Sequence, residues 1–341
     1  MSTVIEAGSP FRVPGVVPYA KHLVDQDDID AVVSVLKSDR LTQGEKVPEF
    51  EAALCAYTGA KYAVAVSSGT AALWCAWREI SMSMDWVSLP AVTFAATANA
   101  ACAAGLKVGV TDIAPETWIG GIEGRVTLGG MPDSRLTSVT DAAHGPWTHS
   151  SVMTCLSFHP AKHITTGEGG AVLTDDPEIA RALRRFRDNG RETAAEVPQS
   201  GGLNLRMSDI HAALGISQLR KLDGWLARRR QIAKAYREAF APLGVQMQPD
   251  HPEHWYHLFI IWLDPKRWYR DAVRSQLHER GVGSTLWPGH GPLYRLPAYK
   301  GDPARFPNSE RYWSGHICLP MFHGLTDEVE HVIKSVREVL A

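Results

Sequence analysis

The chain has 341 residues, 45% of them hydrophobic, with 35 lysines and arginines against 37 aspartates and glutamates and a formal net charge of -2. That length supports a large core and two domains in close contact, and the near-neutral balance excludes partners that need a strong basic field, such as nucleic acid or an anionic membrane surface. The first fifteen residues, MSTVIEAGSPFRVPG, lack a basic-then-apolar leader, the stretch AVTFAATANAACAAGL at 91–106 is too short and too rich in Thr and Asn to span a bilayer, and the five cysteines are scattered without a CxxC pair. Together these predict a soluble cytoplasmic chain with reduced thiols.

Apolar residues recur at helical spacing over 27–39 and 48–58, and the strand pattern YAVAVS at 62–67 runs at once into the helical pattern SGTAALWCAWREI. Strand and helix repeat with WVSLP, TFAATANAACAAG and KVGVTD, which predicts an open, mostly parallel α/β sheet. The runs SVMTCLSF and AVLTDD read as buried strands joined by the loop SFHPAKHITTGEGGA at 157–171. A continuous helical pattern is predicted over 208–240, where ARRRQ at 227–231 reads as a solvated face; it leads into WYHLFIIWL, a helix at 268–280, an irregular loop crowded with Gly and Pro at 281–303, and a closing helix TDEVEHVIKSVREVL. The expected division is a large domain of residues 1–235 and a smaller C-terminal α+β domain of residues 236–341.

Chemistry gathers at three turns. SSGTAAL at 67–73 brings Ser68, Gly69 and Thr70 to a helix N-terminus directly after a strand, where free backbone N–H groups and the helix dipole make an anion seat and Gly lets a phosphate approach. The same Ser-Gly-Thr equally suits a helix cap with no ligand. In SVTDAAHG at 138–145 a strand ends in Asp141, with His144 three residues on; a carboxylate there lies where open α/β sheets bind ligands, and also where a capping Asp is common. Lys162 sits in the 157–171 loop five residues after Ser157, whose hydroxyl suits either a phosphate or a strand-end cap, and Phe94 suits either a ring face or plain core. As a set these residues meet the needs of pyridoxal phosphate: a lysine for its Schiff base, an acid to keep its ring nitrogen protonated, and donors for its phosphate.

Other chemistries fit less well. His144, His149, His159 and His163 do not make a helical i, i+4 pair with a supporting Glu, and no cysteine cluster joins them, so no metal site is expected. Neither GxxxxGK[ST] nor GxGxxG occurs, which weighs against a nucleotide-binding module. A non-catalytic protein that keeps the fold and holds the cofactor for sensing or scaffolding is a further alternative, and retained Lys162 and Asp141 count against it.

On these residues the chain resembles the DegT/DnrJ/EryC1/StrS family of pyridoxal-phosphate sugar aminotransferases. The likeness starts at VPYAKHLVDQDDIDAVVSVLKSDRLTQGEKVPEFEAALCAYTGAKYAVAVSSGTAAL, continues through PAVTFAATANAA, DAAHG and the lysine loop, and takes in LNLRMSDIHAALGISQL and ICLPMFHGLTDEVEHVI. The lysine loop is most similar to the branch that aminates UDP-4-keto-6-deoxy-altrosamine derivatives on the pseudaminic acid route. The resemblance implies a type I, aspartate aminotransferase-like α/β fold, pyridoxal 5'-phosphate as cofactor, and a homodimer with shared active sites. It implies Lys162 as the Schiff-base lysine, Asp141 as partner of the pyridine nitrogen, Phe94 stacked on the ring and His144 near the ring hydroxyl. Gly69, Thr70 and Ser157, with Ser68 in the same turn, would hold the phosphate, and Asn204 in the N-x-R-M-S-D stretch would reach the phosphate of the neighbouring subunit. The implied reaction carries an amino group from L-glutamate to the C4 keto group of a nucleotide-linked 4-keto-6-deoxy sugar, UDP-linked rather than GDP- or dTDP-linked, for surface glycan or nonulosonic acid biosynthesis. A dehydratase of the family would carry His in place of Lys162. The chain departs from the family pattern in shorter segments at 119–140 and 145–156, in Thr140 where an acidic residue commonly precedes the Asp, and in GSTLWPGHGPLYRLPAYK at 283–300 where VHYxPLH is usual. These departures predict retained cofactor chemistry and altered sugar contacts.

Overall fold

A computed structural model of the protein describes residues 15–115, 117, 124–132, 137–147, 151–191, 198 and 201–341. His149 and parts of the two shortened segments lie outside the described residues. In chain order the elements are α1 (Gln26–Leu36), α2 (Lys46–Thr58), β1 (Tyr62–Val66), α3 (Gly69–Ile80), β2 (Trp86–Pro90), α4 (Ala95–Ala103), β3 (Lys107–Thr111), β4 (Gly124–Val126), β5 (Val139–Asp141), β6 (Met153–Ser157), β7 (Gly170–Thr174) and α5 (Pro177–Arg187). Then follow α6 (Asp209–Leu219), α7 (Leu222–Phe240), β8 (Gln246–Met247), β9 (Phe259–Trp262), α8 (Arg270–Glu279), α9 (Pro307–Gly315), β10 (His316–Leu319) and α10 (Glu328–Leu340).

The first half builds a sheet in the order β1-β7-β6-β5-β4, with β2 and β3 forming a parallel pair whose β2 lies against β4. Strands β4, β5 and β6 run parallel, and β7 is antiparallel to both neighbours. Alternation along the strands explains the layers. Val64 and Val66 of β1 and Val172 of β7 join one buried cluster with α3 and α5, whereas Ala63 and Ala65, with Ala171 and Leu173, join another with α2 and α6. Helices therefore cover both faces, as strands made almost wholly of apolar residues require. Each fully buried Val, Leu or Phe in these layers contributes about 1.5–3 kcal/mol.

The register aligns the chemistry. Val66 and Ser157 both pair with Gly170, and Asp141 pairs with Cys155 two residues short of Ser157. The ends of β1, β5 and β6 thus share one edge of the sheet, the edge where ligands bind in open α/β folds.

The C-terminal part carries its own antiparallel sheet, β10-β9-β8, packed with α7, α8 and α10 around Phe259, Ile261, Leu277, Leu319 and Val336. The pattern expected to be one helix over 208–240 is two. It breaks at Arg220 and Lys221, where the Lys221 amine reaches Asp25 and, at 2.9 Å, Asp28 of α1. No Gly or Pro stands at the break itself, and Lys221 there is held by an acidic pair, the N-cap Asp25 and Asp28 of α1. Beyond it, α7 gives Leu222 and Leu226 to one core and Ile232, Ala233, Tyr236 and Phe240 to the other. Within ARRRQ, Arg229 is only 1% exposed rather than solvated, and it donates to the carbonyls of Tyr256 at 3.0 Å and Met321 at 2.9 Å. The start of the described chain packs here too, since the Val17 N–H donates to the Gly281 carbonyl at 2.8 Å.

Candidate active site

A cavity of about 530 Å³, in the range of small-molecule sites, opens over the shared strand edge. Ser68, Gly69, Thr70, Phe94, Asp141, His144, Ser157 and Lys162 all line it. Motifs spread over nearly a hundred residues of sequence meet there because each sits at the end of a strand or the start of a helix on that edge.

Ser68 is the N-cap of α3: its hydroxyl accepts from the Ala71 amide at 3.1 Å, so the capping reading describes what this side chain does. Gly69 and Thr70 follow it in the first turn, whose amides have no intrahelical acceptor, and both residues line the cavity. A Cβ on residue 69 would stand 2.7 Å from the Ser157 Cβ and 2.9 Å from its Oγ, so only glycine lets the helix start come this close to the end of β6. The result is a hydroxyl beside the positive end of a 12-residue helix.

Asp141 is 6% exposed. Its Oδ2 accepts from the Thr97 hydroxyl at 2.8 Å and its Oδ1 from the Ala143 amide at 3.1 Å. Burial pushes the carboxyl above its ordinary value, against the pull of Thr97, the Ala143 amide and Lys162. Burial likewise lowers the Lys162 amine from 10.5 to about 8, with Asp141 opposing. The Lys162 amide donates to the His159 carbonyl at 2.8 Å, which fixes the turn that presents the amine.

His144 is buried and held well below the ordinary imidazole value, first by burial and then by Lys162 and His163. Its Nδ1 accepts from the Gly129 N–H at 3.3 Å, which puts the proton of the neutral ring on Nε2. Gly129 reaches this position with a φ of 66°, in the left-handed region. The His144 ring stacks on His257 at 4.0 Å and meets Trp287 edge-on at 4.5 Å.

Several residues of the site were not among those read from the sequence. Thr97, buried behind Asp141 rather than in the wall, has a local signal, since it lies one helical turn on from Phe94. Tyr19, His257, Thr285, Leu286, Trp287 and Gly289 have none, because they arrive from remote parts of the chain. Asn204 behaves differently from the other candidates. It is exposed, absent from this cavity, and bridged through its backbone to Asp188 at the end of α5.

The cavity suits pyridoxal phosphate on its own geometry. A buried carboxylate that burial penalises gains from a cationic ring N–H, a partly neutral amine can take an aldehyde, and the Gly69, Thr70 and Ser157 donors can receive a phosphate. Among the described residues no group of His, Cys, Asp and Glu could hold a metal ion, and no helix is long and apolar enough to cross a membrane.

Comparison with known proteins agrees with the geometry. The spore coat polysaccharide biosynthesis protein SpsC of Bacillus subtilis is 31% identical, over 95% of this chain and 97% of its own. The UDP-4-amino-4,6-dideoxy-N-acetyl-beta-L-altrosamine transaminase of Campylobacter jejuni is 31% identical, over 89% of this chain and 92% of its own. Among solved structures, Helicobacter pylori PseC, described as an aminotransferase involved in the biosynthesis of pseudoaminic acid, superposes with a TM-score of 0.86 at 26% identity, covering 95% of this chain and 99% of that one. The DegT/DnrJ/EryC1/StrS family profile matches residues 22–122 and 140–337 and is interrupted over part of the shortened segment 119–140. The chain belongs to the DegT/DnrJ/EryC1/StrS aminotransferase family, enzymes of type I fold that use pyridoxal phosphate.

Proposed function

We propose that this enzyme moves an amino group from L-glutamate to the C4 keto group of a UDP-linked 4-keto-6-deoxy sugar, as a homodimer with shared sites, in cytoplasmic synthesis of surface glycans or nonulosonic acids. The observation that carries the reading is the convergence of Lys162, buried Asp141 and the Gly69–Ser157 cradle on one cavity. The sugar nucleotide is supported by the named activity of the Campylobacter jejuni relatives, two of them 31% identical.

Bound pyridoxal phosphate supplies an aldehyde that takes up the amino group and a ring that accepts electrons from the substrate carbon. Lys162 would hold the cofactor through its Nζ and, once freed, its amine would take the proton from the substrate carbon and return it. An amine lowered to about 8 serves both tasks near neutral pH. The Asp141 carboxylate keeps a proton on the ring nitrogen, and Thr97 and the Ala143 amide aim it. His144 offers its Nε2 proton to the ring hydroxyl. Ser157 and the amides of Gly69 and Thr70 take the phosphate, and Phe94 covers one ring face. Asn204, exposed and not among the residues lining its own chain's cavity, is the partner's contribution.

Borohydride treatment of the loaded protein followed by peptide mapping is expected to find the cofactor fixed on Lys162; label on another residue refutes the assignment. The substrate is tested by adding keto-sugar nucleotides to protein loaded with pyridoxamine phosphate and following loss of the amine form. UDP-linked acceptors are expected to react fastest, and a clear preference for GDP- or dTDP-linked sugars overturns that part.

A further inference from the structure

The stretch 283–300, which differs from the usual family form, is tied to the region of α4 at three points. The Leu293 N–H donates to the Ala91 carbonyl at 2.8 Å, the Tyr299 hydroxyl donates to Asn99 Oδ1 at 2.6 Å, and the Ala95 N–H donates to His290 Nε2 at 2.9 Å. The third contact falls on the first amide of the helix. Helix α4 has no side-chain cap of its own, because its N-cap residue is Phe94, which has no acceptor to give. His290 fills that role from almost two hundred residues away. Its other nitrogen, Nδ1, lies 2.7 Å from the Gly291 carbonyl. A carbonyl can only accept, so Nδ1 carries the proton and Nε2 keeps the lone pair that the Ala95 amide needs.

The turn held in this way contains two groups of the candidate site. Phe94 is 54% exposed, and among the described residues the ring set against it is that of His290, at 5.5 Å between centroids. Thr97, one turn on, bonds to Asp141 and lies 2.8 Å from the Thr93 hydroxyl. Phe94 and Gly289, the residue beside His290, both line the cavity.

We propose that His290 is a positioning residue, a remote helix cap that holds the first turn of α4 so that Phe94 stays over the cofactor ring and Thr97 stays on Asp141. The proposal rests on the reading of the cavity as a pyridoxal phosphate site. It assigns a function to a loop that differs from the family's usual sequence: the loop lines the cavity through Thr285, Leu286, Trp287 and Gly289 and sets the Phe94 turn with one imidazole.

The test uses full-length protein stripped of cofactor and titrated with pyridoxal phosphate, read by the circular dichroism of the cofactor's visible band and by its affinity. His290→Ala is expected to weaken cofactor binding about fivefold, the factor that a lost helix cap corresponds to, and to shrink the visible dichroism. His290→Gln, whose carbonyl can accept from Ala95 in place of Nε2, is expected to restore both. Phe94→Ala should give part of the same spectral loss, and His290→Ala added to it should cost less than it does alone, the remainder being its hold on Thr97. Unchanged binding and dichroism in His290→Ala, failure of Gln to do better than Ala, or additive losses in the double variant each overturn the proposal. If the wild-type chain takes up no cofactor, the parent reading falls and this proposal with it; uptake by wild type with an indifferent His290→Ala sinks the proposal alone.

Discussion

Below about pH 8 the Lys162 amine is protonated in a setting that disfavours its charge. Its folded value lies below the ordinary 10.5, so between about 8 and 10.5 the unfolded chain holds a proton that the folded one does not, and stability of the cofactor-free protein rises with pH across that window. Cofactor-free Lys162→Met is therefore expected to be more stable than wild type at pH 7, on the order of 2 kcal/mol once the amine's partial exposure is allowed for, and the gap should close towards pH 10.5. Denaturant titrations at several pH values measure this, and a gap that widens with pH refutes it. Cofactor uptake follows the neutral amine: its rate should climb about tenfold per pH unit up to about 8 and level above it. Asp141→Asn should still take up cofactor but lose turnover by about 10²-fold or more, since an amide cannot hold the ring nitrogen protonated; near-normal turnover removes Asp141 from the mechanism.

Elements decide how close these residues come. Gly69→Ala places a methyl 2.7 Å from the Ser157 Cβ, where neither the helix start nor the strand end can yield freely. Overpacking of this kind costs about 1–3 kcal/mol, and the cofactor phosphate should bind more weakly as the cradle opens; thermal unfolding with a cofactor titration checks both, and wild-type values in the two would show that the close approach is dispensable. Asp141, Ser157 and Lys162 were legible because each belongs to a strand-end motif whose chemistry is local. The β strands were legible for the same reason, as short apolar runs bounded by turn formers. His257 and Trp287 were not, because nothing near them in sequence records that the C-terminal part folds back over the cavity. The break between α6 and α7 was equally silent: the groups that hold Lys221 there, Asp25 and Asp28, come from the start of another helix. Gly129 shows that the shortened segment is more than periphery, for its N–H sets the proton of His144.

For the whole molecule, the proposed sharing of sites has a quantitative signature. Lys162→Ala and Asn204→Ala are each expected to be inactive alone, and mixing and reassembling them should restore about a quarter of wild-type activity, because half the dimers are mixed and each mixed dimer has one intact site of two. No recovery, with subunit exchange demonstrated, would mean that Asn204 serves its own chain or no site. The long helix α7 sets a further limit on the molecule as an object of evolution and engineering. Its apolar residues are divided between two cores, and Arg229 midway along it ties the backbone at Tyr256 to that at Met321. A gene cut at residue 236 would strand Ile232 and Ala233 on the wrong fragment, so chimaeras with relatives that exchange the C-terminal part should fold when the junction falls at Arg220–Lys221 and α7 travels whole, and should yield insoluble protein when it falls inside the helix.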